Sequence, residues 1–130
     1  MLPALLAIAA FTTLAASASA APSAIESGGI ASCYLESGGA YCWVGGYPAN
    51  SVEAPYGSPV TSRPTLFPGL TSGVSAISLS DYNGCAVVNS AARCWGYSDD
   101  GELGNWDHFS AAVPVPVVGL SSGVTDIATT

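Results

Sequence analysis

The four cysteines are the side chains whose type and spacing most directly suggest chemistry. Eight residues separate Cys33 from Cys42, and the same spacing separates Cys85 from Cys94. Cysteines form disulfides, stay free, or bind zinc as thiolates. Structural zinc sites usually draw on cysteines only about two to four residues apart. The spacing therefore favours one disulfide within each pair, with bridges between the pairs, free buried thiols and a four-thiolate zinc site as alternatives.

A second candidate is one short loop that carries four acidic residues and the only histidine: Asp99, Asp100, Glu102, Asp107 and His108. Such oxygens could bind Ca²⁺, but their spacing matches no known calcium loop, so we expect a solvated loop without metal. His108 would be needed by any histidine-based acid–base mechanism, yet a surface position suits it better. Trp106 lies in the same loop, and tryptophan is enriched at interface hot spots. Trp106, Asp107 and His108 are our candidate contacts with a partner.

A third candidate is the segment from Gly119 to Gly123, which matches the G-x-S-x-G pattern of a hydrolase nucleophile elbow. The segment from Gly69 to Gly73 has nearly the same sequence, and no helical pattern follows either copy. We therefore interpret both segments as turns of a repeat and expect no catalytic residue there.

The chain repeats itself. Cys33 and Cys42-Trp43 return as Cys85 and Cys94-Trp95, a shift of 52 residues, and residues 69–77 return as 119–127, a shift of 50. Ser23-Ala24-Ile25 also matches Ser75-Ala76-Ile77. A loop between Trp95 and Gly119 has therefore lost about two residues, as surface loops tolerate.

Each copy predicts a hairpin. The predicted strands Ile30–Glu36 and Ala40–Val44 flank a Ser-Gly-Gly turn, and Gly84–Val88 and Ala91–Gly96 flank Asn89-Ser90. A two-residue loop places Cys33 opposite Cys42, Cys85 opposite Cys94, and Tyr34 beside Tyr41. Further strands are predicted at Val74–Leu79 and at Val113–Val118, where prolines indicate a sheet edge.

The second copy reads, in order, Cys85-Ala86-Val87-Val88, Cys94-Trp95-Gly96-Tyr97, Asp100-Gly101-Glu102-Leu103-Gly104, Val113-Pro114-Val115-Pro116-Val117 and Gly119-Leu120-Ser121-Ser122-Gly123-Val124. This order resembles the repeat of the RCC1 (regulator of chromosome condensation) family. The first copy keeps both cysteines, Trp43 and the Gly69 segment. It has Val44 where the second copy has Gly96, and the GQLG-type turn is missing between Gly45 and Pro59.

The resemblance implies an all-β fold, with each repeat supplying one four-stranded blade of a β-propeller. It implies that Trp43 and Trp95 pack between blades, and that turns or packing depend on Gly69, Gly73, Gly96, Gly101, Leu103, Gly104, Gly119 and Gly123. Two blades do not close a propeller, which needs roughly four to eight. We expect about two RCC1-like blades of an incomplete propeller: a fragment of a longer protein, or a chain that associates with itself.

The N-terminus predicts a signal peptide over residues 1–20. Leu2 to Ala16 is almost wholly small or apolar, and Ala18-Ser19-Ala20 fits a signal peptidase site. The run is short for a membrane span, so a secreted protein is expected. No Lys or Arg precedes the apolar core, and the alternative is an apolar strand or helix of the mature fold. The predicted division is then 21–77 for repeat 1 and 78–130 for repeat 2 with the start of a next blade.

The charge composition argues against one class of partner, nucleic acid. The 130 residues carry a net charge of −7 and two basic residues, Arg63 and Arg93. Phosphate backbones are bound mainly by clustered Lys and Arg, so no nucleic-acid partner is expected.

We expect a secreted protein-interaction module that needs no cofactor, catalyses no reaction and binds an unidentified protein partner. One alternative is an extracellular propeller hydrolase or lyase that acts on a polysaccharide through Asp81, Asp99 or Asp126. The other is a non-functional fragment of a longer RCC1-repeat protein.

Overall fold

The computed structural model of the chain describes residues 20–29, 31–44 and 62–130. The predicted signal peptide lies almost wholly outside these residues, as does the segment between Gly45 and Pro59 where the GQLG-type turn is missing from the first copy. The described residues form eight strands in two four-stranded antiparallel sheets, and no helix occurs among them. None of their elements is therefore a helix long and apolar enough to cross a membrane. The expectation of two four-stranded β blades is confirmed.

Each sheet is a meander in which strands follow one another in chain order. Blade 1 contains β1 Ala24–Gly28, β2 Ala31–Glu36, β3 Gly39–Val44 and β4 Thr65–Leu66. Blade 2 contains β5 Val74–Leu79, β6 Asn83–Val88, β7 Ala91–Gly96 and β8 Ala111–Pro116. The proline-bearing strand β8 is at the sheet edge, where the lack of a backbone N–H is tolerated. Because β5 belongs wholly to blade 2, the division between sheets falls before Val74, a few residues earlier than the predicted repeat boundary.

The two central hairpins have the same tight turn. Ser37 and Gly38 both have positive φ, 51° and 75°, and Asn89 and Ser90 repeat this at 49° and 64°. Two successive positive φ values characterise the type I′ turn, whose twist matches that of the flanking strands. This turn fixes the register that places Cys33 opposite Cys42 and Cys85 opposite Cys94.

Both predicted disulfides form across these hairpins. Cys33 is bonded to Cys42 and Cys85 to Cys94, each pair with a Cα separation of 4.1 Å. No free cysteine remains among the described residues. The alternatives of bridges between repeats, free thiols and a zinc site are therefore wrong in this structure.

Replacing Cys85 and Cys94 together by serine is expected to lower the free energy of unfolding by about 2 to 4 kcal/mol, because the closed loop restricts the unfolded chain. Urea unfolding followed by fluorescence measures the change. The matched control is the Cys33/Cys42 double variant, whose loop has the same length and whose cost should be similar. Equal stability of the wild type and both variants would contradict a structural role for the bridges.

The main core lies between the two blades. Blade 1 contributes the face that carries its disulfide, with Cys33, Leu35, Ala40 and Cys42, which we call the cystine face. Blade 2 contributes the side of its sheet that does not carry the disulfide, with Ile77, Ala86, Val88 and Trp95. We call this side the tryptophan face. Phe67 and Leu70, from the connection between the blades, complete this core. Strand alternation puts cystine and tryptophan on opposite sides of each sheet.

The repeat in sequence is also a repeat in hydrogen bonding. In blade 1, Ala40 N donates to Leu70 O at 2.8 Å and Val74 N donates to Gly38 O at 2.9 Å. In blade 2 the corresponding bonds run from Ala92 N to Leu120 O at 2.8 Å and from Val124 N to Ser90 O at 2.9 Å. Residues 119–124 therefore occupy the same position against blade 2 that residues 69–74 occupy against blade 1.

The two repeat tryptophans differ in their surroundings. Trp95 is buried between the blades, with its ring centroid 5.2 Å from that of Phe67. Its indole lies over Gly84, where an added Cβ would come within 2.3 Å of the ring. In blade 1 the residue opposite Trp43 is Ser32, and Trp43 is only half-buried, beside Tyr34 on the tryptophan face that points away from blade 2.

Candidate interaction surface

The loop between β7 and β8, residues 97–110, holds the residues predicted to contact a partner. It leaves the sheet at Gly96, whose φ is 111° and where an added Cβ would lie 2.2 Å from the carbonyl oxygen of Tyr82. Tyr97 N donates to Tyr82 O at 3.2 Å and to Asn83 Oδ1 at 3.0 Å. The start of the loop is thus tied to the turn between β5 and β6.

The middle of the loop is anchored by one buried side chain. Leu103 is fully buried in a second cluster with Cys85 and Cys94. On either side of it, Gly101 and Gly104 have positive φ, and Gly104 N donates to Gly101 O at 3.0 Å. Val118 N also donates to Gly104 O at 2.9 Å. This turn fixes the base from which residues 105–109 project.

A local network then directs Trp106 into solvent. Asn105 Nδ2 donates to Asp107 Oδ2 at 3.1 Å, and Asp107 N is 3.4 Å from Asn105 Oδ1. Phe109 N donates to the second carboxylate oxygen of Asp107 at 3.0 Å. Between these bonds Trp106 has a φ of 68° and is 88% exposed. A bulky residue rarely adopts this left-handed backbone, and it persists only where its neighbours impose it.

The three predicted contact residues therefore lie together but are not alike. Trp106 is open to solvent, whereas the Asp107 carboxylate is engaged with the backbone and side chains of its own loop. His108 is exposed, and its Nδ1 lies 3.1 Å from Asp99 O. The Tyr97 hydroxyl donates to the Asp99 carboxylate within the first residues of the loop. Ser98 N donates to Ser110 Oγ at 3.1 Å, and this bond ties the two ends of the loop together.

Two exposed aromatic residues extend this surface beyond the sequence prediction. Phe109 is 79% exposed, and Tyr82, in the turn between β5 and β6, is also exposed. Tyr82 faces Tyr97 with ring centroids 6.5 Å apart. An apolar ring in an otherwise polar loop was the only sequence signal for Phe109. Nothing in the sequence marked Tyr82 apart from the other tyrosines.

Comparison with known proteins identifies the repeat. No protein-family model matches the chain, and no curated protein matches it significantly. Solved structures do match. Human WBSCR16 aligns at 26% identity with a TM-score of 0.56, over 78% of this chain and 27% of that one. Prp20p from Saccharomyces cerevisiae, studied for its binding to Gsp1p and histones, aligns at 20% identity with a TM-score of 0.54, over 75% and 26%. Yeast RCC1 (Prp20) bound to Kap60 aligns at 21% with a TM-score of 0.52, over 80% and 26%.

The two sheets have the fold of RCC1-type blades. It spans about a quarter of the length of each of these structures. Two RCC1-type blades are therefore present, and the structural likeness extends to most of the chain.

The RCC1-type repeat also explains the apparent hydrolase motif. Gly119 and Gly123 have φ of 81° and 73°, and their counterparts Gly69 and Gly73 have φ of 85° and 72°. The two segments therefore adopt the same turn, which links one blade to the next. Ser121 has no special position in it, since Thr71 stands at the equivalent place.

The carboxylates that the enzyme alternative would use, those of Asp81, Asp99 and Asp126, do not line one common cleft. An open cleft of about 600 Å³ lies where the β1–β2 and β5–β6 turns meet, lined by residues that include Asp81, Glu102, Tyr82 and Tyr97. Neither Asp99 nor Asp126 lines this cleft. In the part of the chain that the structure describes, no group of three or more His, Cys, Asp or Glu side chains could hold a metal ion.

Proposed function

We propose that the chain is a secreted protein-interaction module whose contact surface is the 97–110 loop of its second RCC1-type blade. The observation that carries the proposal is the pair of exposed rings in this loop, Trp106 and Phe109, on a backbone held by the Asn105–Asp107 turn. Exposing a large apolar ring and holding a left-handed backbone both cost free energy. An interface would offset that cost.

The chemistry of the loop indicates the kind of partner. Trp and Phe favour an apolar pocket, and Trp is among the residues most often found at binding hot spots. The same loop carries the carboxylates of Asp99, Asp100 and Glu102, on a chain whose net charge is −7. Complementary charge steers association and orients partners. A protein with an apolar pocket bordered by Lys or Arg would therefore fit best.

Secretion is part of the proposal. It is supported by the signal-like sequence of residues 1–20 and by two disulfides, which persist in oxidising compartments. N-terminal sequencing of the chain after export would find Ala21 as its first residue. A chain that stays in the cytoplasm with residues 1–20 intact would contradict this part. Binding without catalysis is the proposed activity, because the candidate carboxylates do not share one site.

The Trp106→Gly variant tests the contact surface. Glycine accepts positive φ without strain, and its greater freedom in the unfolded chain offsets that gain, so stability should stay within about 1 kcal/mol of the wild type. Loss of a hot-spot tryptophan should weaken binding by about 2 kcal/mol or more, roughly thirtyfold in Kd. Immobilised wild type and variant are compared for the proteins they retain from culture medium and cell-surface extract, and affinity for a retained protein is then measured by titration.

The control is Val113→Thr, a change at an exposed position of β8 outside the loop. It should retain the same protein with the same affinity as the wild type. Unchanged binding by Trp106→Gly, measured on a variant that folds like the wild type, would show that Trp106 is not the contact residue we propose.

A further inference from the structure

The open cleft beside the candidate loop is built by turns of both blades. Gly28 and Gly29, where β1 ends, lie against the backbone of the β5–β6 turn. A Cβ added at Gly28 would be 2.5 Å from Leu79 O, and one added at Gly29 would be 2.7 Å from the Asp81 Cα. Glycine permits this approach because it has no Cβ. The two turns therefore lie side by side, and both line a cleft of about 600 Å³.

Two tyrosine rings border the same cleft. Tyr82, which is 68% exposed, lines it from the β5–β6 turn, and Tyr97 lines it from the β7–β8 loop. Tyr97 N donates to Tyr82 O at 3.2 Å and to Asn83 Oδ1 at 3.0 Å. The ring centroids are 6.5 Å apart, and the ring planes are tilted by 56°. The cleft therefore presents a pair of aromatic rings whose backbones are fixed to each other by hydrogen bonds.

The charged side chains that line the cleft are carboxylates. Asp81 is exposed, and its carboxylate makes no hydrogen bond or ion pair within the part of the chain that the structure describes. Glu102 uses one oxygen, Oε2, to accept a bond from Asp100 N at 3.0 Å. The two arginines of the chain, Arg63 and Arg93, do not line the cleft. Its negative charge is therefore not balanced by a cation of the chain's own within the cleft.

We propose that this cleft binds the guanidinium group of an arginine side chain that the protein partner supplies. A guanidinium is a planar cation with several N–H donors and no acceptor. It packs on aromatic faces and forms paired hydrogen bonds with carboxylates. The cleft offers both kinds of group side by side. Lysine fits less well, because its ammonium is a compact point charge that does not stack as a plane.

The inference deepens the proposed function and rests on it in one respect, that the arginine belongs to a protein partner. The β7–β8 loop joins the two contacts, because it supplies Tyr97 and Glu102 to the cleft and Trp106 to the apolar contact. The cleft thus gives a place to the basic group that the acidic loop favours in a partner. Its chemistry can be measured without the partner, so the two proposals can fail separately.

The probe is Nα-acetyl-arginine amide, titrated into the isotopically labelled chain while the backbone amide resonances are followed by NMR. Saturable shifts are expected at Tyr82, Asn83 and Tyr97, and none at the Asn89-Ser90 turn, at the other end of β6. A ligand of this size should bind with a Kd of about 1 mM. Nα-acetyl-citrulline amide, which has nearly the same shape without the charge, is the matched control. It should bind at least about fivefold more weakly, and the lysine amide should also bind more weakly than the arginine amide.

Three variants locate the binding site of the probe. Asp81→Asn removes a charge and Tyr82→Leu removes a ring, both at exposed positions, so both variants should fold like the wild type. Each should raise the Kd for the arginine amide about threefold. Asp126→Asn is the matched control, since it also removes one exposed carboxylate but lies outside the cleft. Its Kd should equal that of the wild type.

Equal binding of the arginine and citrulline amides would overturn the proposal, because the cleft would then not recognise the cation. An unchanged Kd in both Asp81→Asn and Tyr82→Leu would overturn it as well, because the probe would then bind elsewhere. A partner that is retained through Trp106 but binds Asp81→Asn as tightly as the wild type would refute the arginine contact and leave the proposed function intact. Failure of the Trp106→Gly test would refute the proposed function, whereas binding of the arginine amide in the cleft would stand.

Discussion

Replacing Leu70 by alanine is expected to lower the free energy of unfolding by about 2 to 5 kcal/mol, the range found when a buried leucine leaves a cavity. Leu70 is fully buried between the blades with Phe67 and Trp95. Its backbone carbonyl also accepts the hydrogen bond from Ala40 N, which alanine would keep. The loss would therefore report on side-chain packing between the blades. Urea unfolding, followed through the fluorescence of the buried Trp95, measures it.

Leu120→Ala is the matched control, since Leu120 has the same place in the repeat and the same backbone bond, to Ala92 N. Its side chain is exposed, so the expected loss in the free energy of unfolding is within about 0.5 kcal/mol. Equal costs for the two variants would contradict the packing of the blades described above, because the difference between them comes only from the neighbouring blade.

The second large effect is expected at Gly96, where β7 ends and the candidate loop begins. In Gly96→Ala the new Cβ would come within 2.2 Å of Tyr82 O and 2.8 Å of the Asn83 Cα, both backbone atoms. The positive φ adds roughly 1 to 2 kcal/mol for any residue with a Cβ. We expect a total loss of about 3 kcal/mol or more, together with displacement of the loop that carries Trp106. Denaturant unfolding and the near-ultraviolet circular dichroism of the aromatic residues measure the two effects.

Gly119→Ala separates backbone strain from steric overlap. Gly119 has a similar positive φ, 81°, but no atom lies within 4 Å of an added Cβ. Replacing Gly119 should lower the free energy of unfolding only by the backbone strain, roughly 1 to 2 kcal/mol. If Gly96→Ala were no more destabilising than Gly119→Ala, the close approach of Gly96 to the β5–β6 turn would be refuted.

The sequence predicted the central hairpins best, because turn and strand signals agreed there. Asn89-Ser90 separates two β-rich runs, and the observed β7 matches the predicted Ala91–Gly96. The same agreement placed the cysteines opposite one another. The first and last strands of blade 1 were harder to predict. Neither strand was predicted: β4 has only two residues, and β1 ends beside consecutive glycines, although Ser23-Ala24-Ile25 repeats part of the sequence of β5.

The candidate site was predicted in part. Trp106 could be singled out because it is a large ring in a polar loop. Asp107 holds the loop together through hydrogen bonds that involve the backbone N–H groups of the turn. The sequence does not show that the turn brings these groups close to its side chain, so this role could not be predicted. The repeat also led us to expect equivalent positions for Trp43 and Trp95. Only Trp95 lies between described blades, and it lies over a glycine where blade 1 has Ser32.

Disulfide mapping of the unreduced protein tests most directly that each repeat is a separate blade closed by its own bridge. Trypsin cuts after Arg93, between Cys85 and Cys94, and chymotrypsin cuts after Tyr34 and Tyr41, between Cys33 and Cys42. Mass spectrometry should then find peptides joined as Cys33–Cys42 and Cys85–Cys94. A peptide joining Cys33 to Cys85, or four free thiols in the exported chain, would contradict two stacked hairpins that are each clamped across their own strands.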